Sequence, residues 1–377
     1  MDFGFSEAQS EVRQLSRQIL SEQVTPERLA AFDEFAKPRF DRELWSQLAA
    51  AGLLGVAVDE AYGGMGFGFI ELALFLEEVG RTIAPLPAIP HLVSAALPLQ
   101  RFGTDQQKDA LLPGVVDGSL LLSAALMEGP GENPLVPATR AVSSGDGFSL
   151  SGVKRCVPFA SDCHRILVAA SAEDGIVIVM VDPAAPGVTL TDMKYSTYEP
   201  QYELLLQDVS IGAEDVLAGP ERGAELLQWI RERTTAAVCA HQLGVTDQAM
   251  RMTASYTAER KQFGVPVATF QAVGHRAANC FIDVECLRLN TYQAASLLAA
   301  EADAGNEVLI AKIWAGDVGH RVSYASQHLH GGTGIDRDYP LWRYCLWARH
   351  NEVMLGGSAP QLAVLGRRIA AGEAYCR

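Results

Sequence analysis

Residues 256–264 read YTAERKQFG, and the pair Phe270-Gln271 follows six residues later. The apolar spacing before this stretch predicts a long helix over 224–259, so that Arg260 lies at its C-terminal end. A guanidinium is a planar fork of donors that matches phosphate oxygens, and Gln262 adds an amide just beyond it. The alternative for Arg260 is a cation that only satisfies the helix macrodipole. The stretch therefore indicates either a site for an anionic ligand or a simple helix end.

A second polar stretch follows the helical pattern at 307–329. It reads His330-Gly331-Gly332-Thr333-Gly334-Ile335 and is followed by Tyr339-Pro340 and Arg343. Glycine has no Cβ, so the backbone N–H groups at 331 and 332 can approach a phosphate or an adenine closely. This stretch therefore favours the same class of ligand as the first one.

The periodicity of the chain changes twice. The first 115 or so residues have helical spacing, beginning with a capping box at Ser6 and Gln9. From about 120 to 215, β-type runs such as 165–169 and 176–181 alternate with turn residues. The helical period returns from Gly223. This order predicts a mainly α protein with a β middle domain, namely a helical domain at 1–118, a small antiparallel sheet or barrel at 119–217, and a helical domain at 218–377.

Composition and missing motifs narrow the functional classes. The net charge of −15 argues against nucleic acid or an anionic membrane as the main partner. No apolar run approaches the roughly 18 residues of a membrane span, and the N-terminus does not resemble a secretory signal. Seven cysteines without a Cys-x-x-Cys motif indicate reduced thiols in a cytoplasmic protein. The chain contains no Gly-x-Gly-x-x-Gly, P-loop or nucleophile elbow, and His320, His328 and His330 come without carboxylates at metal-ligand spacing.

Three stretches, in order and at matching spacing, resemble the acyl-CoA dehydrogenase family. They are the two described above and one from Leu44-Trp45 to the loop Tyr62-Gly63-Gly64-Met65-Gly66. The resemblance implies a helical domain, a β domain and a C-terminal four-helix bundle, with FAD as cofactor. In the family, the RKQFG and GGTG segments hold the pyrophosphate and adenine half of an FAD whose flavin ring lies in the neighbouring subunit. The implied cofactor-binding residues are Arg260, Gln262, Phe263, Gln271, Gly331 and Gly332, with His328 where the family usually has a glutamine facing the FAD.

The family's catalytic glutamate is missing from both of its known positions. The resemblance places Leu355 at the position used by most members and Thr234 at the position used by another branch. Thr235 stands where that branch has an arginine. Glu232 lies two residues before Thr234, about 200° around the helix, so we expect its carboxylate on the opposite face.

The segments that hold the flavin in the family have also changed. The family's Thr-Glu-Pro is Met127-Glu128-Gly129 here, and its Trp-Ile-Thr is Cys156-Val157-Pro158. The Gly-Ser-Asp on the CoA side reads Glu132-Asn133-Pro134. The half that reaches a neighbour's FAD is therefore retained, whereas the half that holds the chain's own flavin is lost.

This pattern is expected of one subunit of a heteromeric dehydrogenase whose partner supplies the flavin pocket and the base. The chain resembles the smaller subunit of the α2β2 acyl-CoA dehydrogenases that act on steroid side-chain CoA thioesters in actinobacteria, with the acyl-CoA bound mainly by the partner. One alternative is a self-sufficient homo-oligomeric flavoenzyme with another base, Glu128 being the first candidate. A second alternative is a structural relative that binds no flavin.

Overall fold

The computed structural model describes residues 4–35, 37–129 and 133–373 of the 377-residue chain. Glu132 and Cys376 lie outside the described residues. The predicted order of helices, strands and helices is confirmed. The α-helices are α1 (Glu7–Gln23), α2 (Pro26–Ala30), α3 (Arg42–Ala50), α4 (Phe69–Thr82), α5 (Leu97–Phe102), α6 (Asp105–Val116), α7 (Pro220–Glu259), α8 (Gln271–Ala299), α9 (Gly305–His330), α10 (Leu341–Val353) and α11 (Ser358–Ala370).

The β domain is one sheet with strand order β6-β7-β3-β2-β4-β5-β8, and β1 pairs with β4. Its strands are β1 (Leu122–Ala125), β2 (Arg140–Ser144), β3 (Gly147–Pro158), β4 (Arg165–Ala172), β5 (Gly175–Val181), β6 (Val188–Met193), β7 (Gln201–Ile211) and β8 (Val216–Ala218). Most pairs are antiparallel, as predicted, but β1 and β2 both pair with β4 in parallel. The predicted antiparallel pairing therefore does not extend to these two pairs, because long connections allow parallel neighbours.

One compact unit combines the chain up to Ala30, the segment Phe69–Ala84 and the chain from Thr235 onward. Two glycines bring α4 and α7 into backbone contact within it. A Cβ at Gly80 would lie 2.1 Å from the His241 carbonyl oxygen, and a Cβ at Gly244 would lie 1.9 Å from the Glu77 carbonyl oxygen. Any larger residue at either position would push the two helices apart.

Buried charges connect the helices of this unit. The carboxylate of Glu77 on α4 is fully buried, and its Oε1 lies 3.0 Å from Arg13, 2.8 Å from Arg81 and 3.2 Å from Arg288. Burial raises the pKa of the adjacent Glu78 carboxyl, but hydrogen bonds and charges from arginines outweigh it and leave that pKa lowered. Removing one partner of such a network would leave a buried charge uncompensated.

The second compact unit comprises Ala31–Gly68 and Pro85–Thr234 and contains the sheet. A π-helix at Ile89–Ala96 is buried along almost its entire length. His91 within it accepts a hydrogen bond at Nδ1 from the Leu122 N–H, at 3.0 Å. Burial lowers the pKa of His91 to about 4, so the imidazole is neutral at physiological pH.

The division into three consecutive domains, at 118/119 and 217/218, stays a prediction. The compact units follow spatial proximity and draw on separate stretches of the chain. No helix among the described residues is both long enough and apolar enough to span a membrane.

Candidate functional site

A tight hairpin follows the end of α7. Strand β9 (Lys261–Gln262) pairs with β10 (Val265–Pro266). The two residues at its tip, Phe263 and Gly264, have φ angles of 55° and 84°, and positive φ at both central residues is the requirement of a type I′ turn. Glycine accepts this conformation freely, whereas a bulky aromatic residue is strained in it. Phe263 is also 93% exposed, so the strained turn presents its whole ring to the surroundings.

Tyr256 joins this hairpin region to the glycine stretch. Its hydroxyl lies 3.3 Å from the His330 carbonyl oxygen and 3.3 Å from Thr333 Oγ1, and its ring stacks on His330 at 4.3 Å. The Nδ1 atom of His330 lies 2.8 Å from the Ser326 carbonyl oxygen, and its Nε2 atom lies 3.2 Å from the Tyr339 hydroxyl. The two stretches that carry the resemblance therefore meet in space. The sequence contains Tyr256 within the motif, but its linking role becomes visible only from these contacts.

Gly331 and Gly332 have open space beside their backbone. Gly331 ends α9 with a φ of 62°, a conformation that favours glycine. A Cβ added to either residue would meet no heavy atom within 4 Å. The packing of the chain therefore does not require glycine at 332, and the space beside it can admit a ligand.

Arg260, Gln262 and Gln271 are all exposed. The Arg260 backbone forms hydrogen bonds to Tyr256 and Val267, both at 2.8 Å, which fixes its position just beyond α7. Within residues 4–35, 37–129 and 133–373, its guanidinium makes no ion pair. Gln271 is the first residue of α8. Arg260 and Gln271 are thus held at defined backbone positions while their polar ends remain exposed. The Gln262 side-chain amide donates to the Lys261 carbonyl oxygen at 2.7 Å.

His328 is exposed on α9 and contacts Arg276 of α8, with Nδ1 2.9 Å from Arg276 Nη1. The guanidinium carbon of Arg276 also lies 5.1 Å from the centre of the Tyr324 ring. Sequence reasoning missed Arg276, because no local motif marks a contact between α8 and α9.

Both family positions of the base hold side chains without a carboxylate. Thr234 is buried, and its Oγ1 lies 3.0 Å from Ser94 Oγ in the π-helix. Leu355 is also buried, in the turn between α10 and α11, with a positive φ of 57°. Glu232 pairs instead with Gln228 on an exposed part of α7. A base at either family position would therefore require a substitution.

Arg231, also missed by sequence reasoning, precedes Thr234 by three residues on α7 and so lies near it on the helix surface. Its Nη1 donates to the Leu126 carbonyl oxygen at 3.3 Å, and the described residues give it no carboxylate partner. Burial lowers the pKa of Arg231 to about 10, which leaves it charged at neutral pH. This part of α7 therefore presents a cation near the position of the family's base.

The residues aligned with the flavin-holding segments have partners within the chain. Cys156 lies at an irregularity of β3 with a φ of 55°, and the Tyr195 hydroxyl donates to its Sγ at 2.7 Å. The Pro158 carbonyl oxygen accepts a hydrogen bond from Ser123 at 2.7 Å, and proline itself has no N–H to offer. The Met127 carbonyl oxygen accepts from the Arg155 N–H at 2.9 Å. These groups form bonds within the sheet domain.

Glu128, the candidate base of the self-sufficient alternative, is engaged on both carboxylate oxygens. Its Oε1 accepts from Lys154 Nζ at 2.6 Å and from the Thr139 hydroxyl at 2.6 Å, and Oε2 accepts from the Ala138 N–H at 2.5 Å. Burial acts to raise the pKa of this carboxyl, but these bonds and the Lys154 charge outweigh it and lower the pKa to about 2. Such a carboxylate is a weak proton acceptor.

Comparison with known proteins places these features in a family. Residues 6–119 match the acyl-CoA dehydrogenase N-terminal domain, and residues 221–370 match the acyl-CoA dehydrogenase C-terminal domain. The acyl-CoA dehydrogenase FadE27 of Mycobacterium tuberculosis is 35% identical, covering 98% of this chain and 99% of that protein. The chain belongs to the acyl-CoA dehydrogenase family.

Two solved structures of related complexes are similar over the same length. A variant of the Tcur3481-Tcur3483 steroid ACAD is 40% identical, with a TM-score of 0.91, covering 98% of this chain and 99% of that one. The ChsE4-ChsE5 complex from Mycobacterium tuberculosis is 35% identical, with a TM-score of 0.93 and the same two coverages. The predicted fold, mainly helical with a β middle domain, is thereby confirmed.

Family membership indicates FAD as the cofactor. The residues near the end of α7 and the end of α9 have side chains and backbone that suit a phosphate-bearing cofactor. They combine an exposed guanidinium at Arg260, an exposed aromatic ring at Phe263, and open backbone at Gly331 and Gly332. The residues aligned with the flavin segments do not offer the corresponding side-chain groups.

Proposed function

We propose that this chain is the cofactor-completing subunit of a heteromeric, FAD-dependent acyl-CoA dehydrogenase. It supplies the adenine and pyrophosphate half of the FAD site, and a second acyl-CoA dehydrogenase-like subunit, in an α2β2 assembly, supplies the flavin pocket and the catalytic glutamate. The bound flavin would accept the hydride from the β-carbon of the acyl-CoA. Arg260, Gln262, Phe263, Gln271, His328, Gly331 and Gly332 would bind and orient the cofactor.

The observation that carries this proposal is the chemistry at the base positions. Proton removal from an acyl thioester needs a positioned base with a suitable pKa. Thr234 is a neutral hydroxyl engaged with Ser94, and Leu355 is apolar. Glu128 is held ionised at low pKa by Lys154 and Thr139. This low pKa argues against Glu128 as the base of the self-sufficient alternative.

The surface of α8 supports the need for a partner. Phe281, Ile282 and Leu289 on this helix are 56%, 58% and 68% exposed. Large apolar side chains grouped on one helix are typical of a surface covered by another protein. A second subunit placed there would bury them.

The relatives support a proposal for the substrate class. The 40% identical structure is that of a steroid ACAD, and the 35% identical structure is that of a complex of two proteins, ChsE4 and ChsE5. We propose a steroid side-chain CoA thioester as substrate, bound mainly by the partner.

The test compares the purified chain alone with the chain co-expressed with a candidate partner. We expect the chain alone to be inactive on acyl-CoA substrates, and the complex to carry flavin absorbance and to reduce an artificial electron acceptor. Robust dye reduction by the pure homo-oligomer would overturn the proposal and favour the self-sufficient enzyme. A colourless, inactive complex would instead favour a structural relative that binds no flavin.

A further inference from the structure

Arg276 reaches from α8 to two side chains of α9. Its Nη1 lies 2.9 Å from His328 Nδ1, and its guanidinium carbon lies 5.1 Å from the Tyr324 ring centre. Tyr324 and His328 are four residues apart on α9 and so lie on the same face of that helix. The guanidinium therefore stands against an aromatic ring while one of its N–H groups points to the imidazole.

This contact determines the proton position on His328. A guanidinium contains only donors, so His328 Nδ1 must act as the acceptor. A neutral imidazole has a single N–H, which must then be at Nε2. Within the described parts of the chain, Nε2 has no hydrogen-bond partner, and His328 is exposed. The ring thus has a free donor in a fixed tautomer.

We propose that Arg276 is a positioning residue that holds His328 with Nε2–H available to donate to FAD. This inference rests on the proposed function, because His328 occupies the position where the family usually has a glutamine facing the cofactor. A glutamine amide always includes an N–H donor. A neutral histidine donates from Nε2 in only one of its two tautomers, and a hydrogen bond to Nδ1 favours that tautomer.

A purely structural role for Arg276 would involve a different kind of partner. The neighbouring contact between the same helices, Arg321 of α9 with Asp283 of α8, is a two-bond ion pair at 2.7 and 2.8 Å. Arg276, by contrast, makes no ion pair among the described residues and directs its N–H to an imidazole nitrogen. Substituting Arg321 is therefore a matched control, because it also removes an arginine that connects α8 and α9.

The tautomer is tested first, on the isolated chain labelled with nitrogen-15 at its histidines. His328→Gln identifies the His328 signals by their disappearance. We expect the protein to show protonated Nε2 and unprotonated Nδ1 at His328 near neutral pH, and Arg276→Met to produce a mixture of tautomers. Arg321→Met should leave the His328 signals unchanged. An Nδ1–H tautomer in the unmodified chain would overturn the inference.

The second test is a double-mutant cycle on FAD dissociation from the assembled complex. We expect Arg276→Met to weaken FAD binding about two- to tenfold, the range of one hydrogen bond, when residue 328 is histidine. In the His328→Gln background, the same substitution should have no effect, since the amide donor needs no positioning. Equal effects in both backgrounds would overturn the role of Arg276.

Arg260→Ala separates this inference from the proposed function. If Arg260→Ala leaves FAD binding unchanged, the chain does not hold the cofactor and the proposed function fails. If Arg260→Ala weakens FAD binding but the cycle shows no coupling between residues 276 and 328, only the inference about Arg276 fails.

Discussion

Arg260 carries the simplest argument at the scale of single residues. It is exposed just beyond α7, four residues after Tyr256, whose hydroxyl contacts His330 and Thr333 on either side of the open glycine backbone. The position of Arg260 at the end of a helix could be predicted from the sequence, because it depends on a local pattern. Arg276 could not be predicted, because its partner His328 lies 52 residues away on another helix.

We expect Arg260→Ala to weaken FAD retention in the assembled complex rather than change the chemical step. A charge-assisted contact with a pyrophosphate contributes about 1.5–3 kcal/mol, which corresponds to about ten- to a hundredfold in affinity. Dissociation constants and turnover at saturating FAD distinguish the two effects. Arg367→Ala, which removes an arginine from α11, is the control. Full FAD occupancy with a lowered turnover number would contradict this role.

At the scale of elements, the features of helix α7 could be predicted from the sequence, whereas the pairing of the strands could not. The long helix and the 200° separation of Glu232 from Thr234 followed from periodicity, and the structure has Glu232 on an exposed part of α7 and Thr234 buried. The parallel pairing of β1 with β4 did not follow, because strand direction depends on connections about 40 residues long. The Phe263-Gly264 hairpin was also missed, since phenylalanine is rare in such a turn.

Placing a carboxylate on α7 by Thr234→Glu should not restore dehydrogenase activity. Arg231, three residues earlier, lacks a carboxylate partner in the described chain and is placed to pair with the new group. A guanidinium partner lowers the pKa of a carboxyl and weakens it as a base. Carbon-13 NMR should give the introduced carboxyl a lower pKa in Thr234→Glu than in the double variant that adds Arg231→Leu. Equal values would show that Arg231 does not reach it.

Leu355→Glu tests the other base position. We expect a lower melting temperature and no gain in rate. Burying an unpaired polar group costs about 1–3 kcal/mol in protein mutants, and the new carboxyl should have a raised pKa. Leu355→Met, an apolar change of similar volume, is the control and should have a smaller effect. A substantial gain in activity would show that only the base was lost. The chain's own flavin pocket would then be functional, which would contradict the proposal that a partner supplies it.

At the scale of the whole molecule, chain order and spatial grouping differ. Helix α4, from the first third of the chain, belongs to the same compact unit as the C-terminal helices, and Gly80 and Gly244 are needed for its contact with α7. Periodicity predicts that such helices exist but carries no information on which distant helix packs against which. Buried titratable groups lie in both units, and their shifted pKa values predict how the stability of the protein changes with pH.

Acid should destabilise the protein below about pH 6.5. Burial lowers the pKa of His91 and His350 to about 4, so the folded chain keeps them neutral while the unfolded chain protonates near 6.5. Their contribution to the stability of the folded protein is present at pH values above the pKa of the unfolded chain, and it is lost as the pH falls below that pKa. Glu199 acts in the opposite direction. Burial raises its pKa to about 7, more than Gln201 and Arg39 lower it, so its contribution is present at low pH and is lost between about 4.5 and 7.

Glu199→Gln should therefore change the pH profile and not only the stability at one pH. The amide removes the cost of ionising this carboxyl, so the variant should gain stability relative to the unmodified protein as pH rises from 5 to 8, by about 1–3 kcal/mol. Below pH 6.5 the variant should lose stability more steeply, because only the histidine contribution remains. Melting temperatures at pH 5, 6.5 and 8 measure both effects. Glu173→Gln, at an exposed position, should change the melting temperature by the same amount at all three pH values. The melting temperatures of Glu199→Gln and the unmodified protein could instead differ by the same amount at every pH. Glu199 would then not be protonated near neutrality, and the acid response would come from the histidines alone.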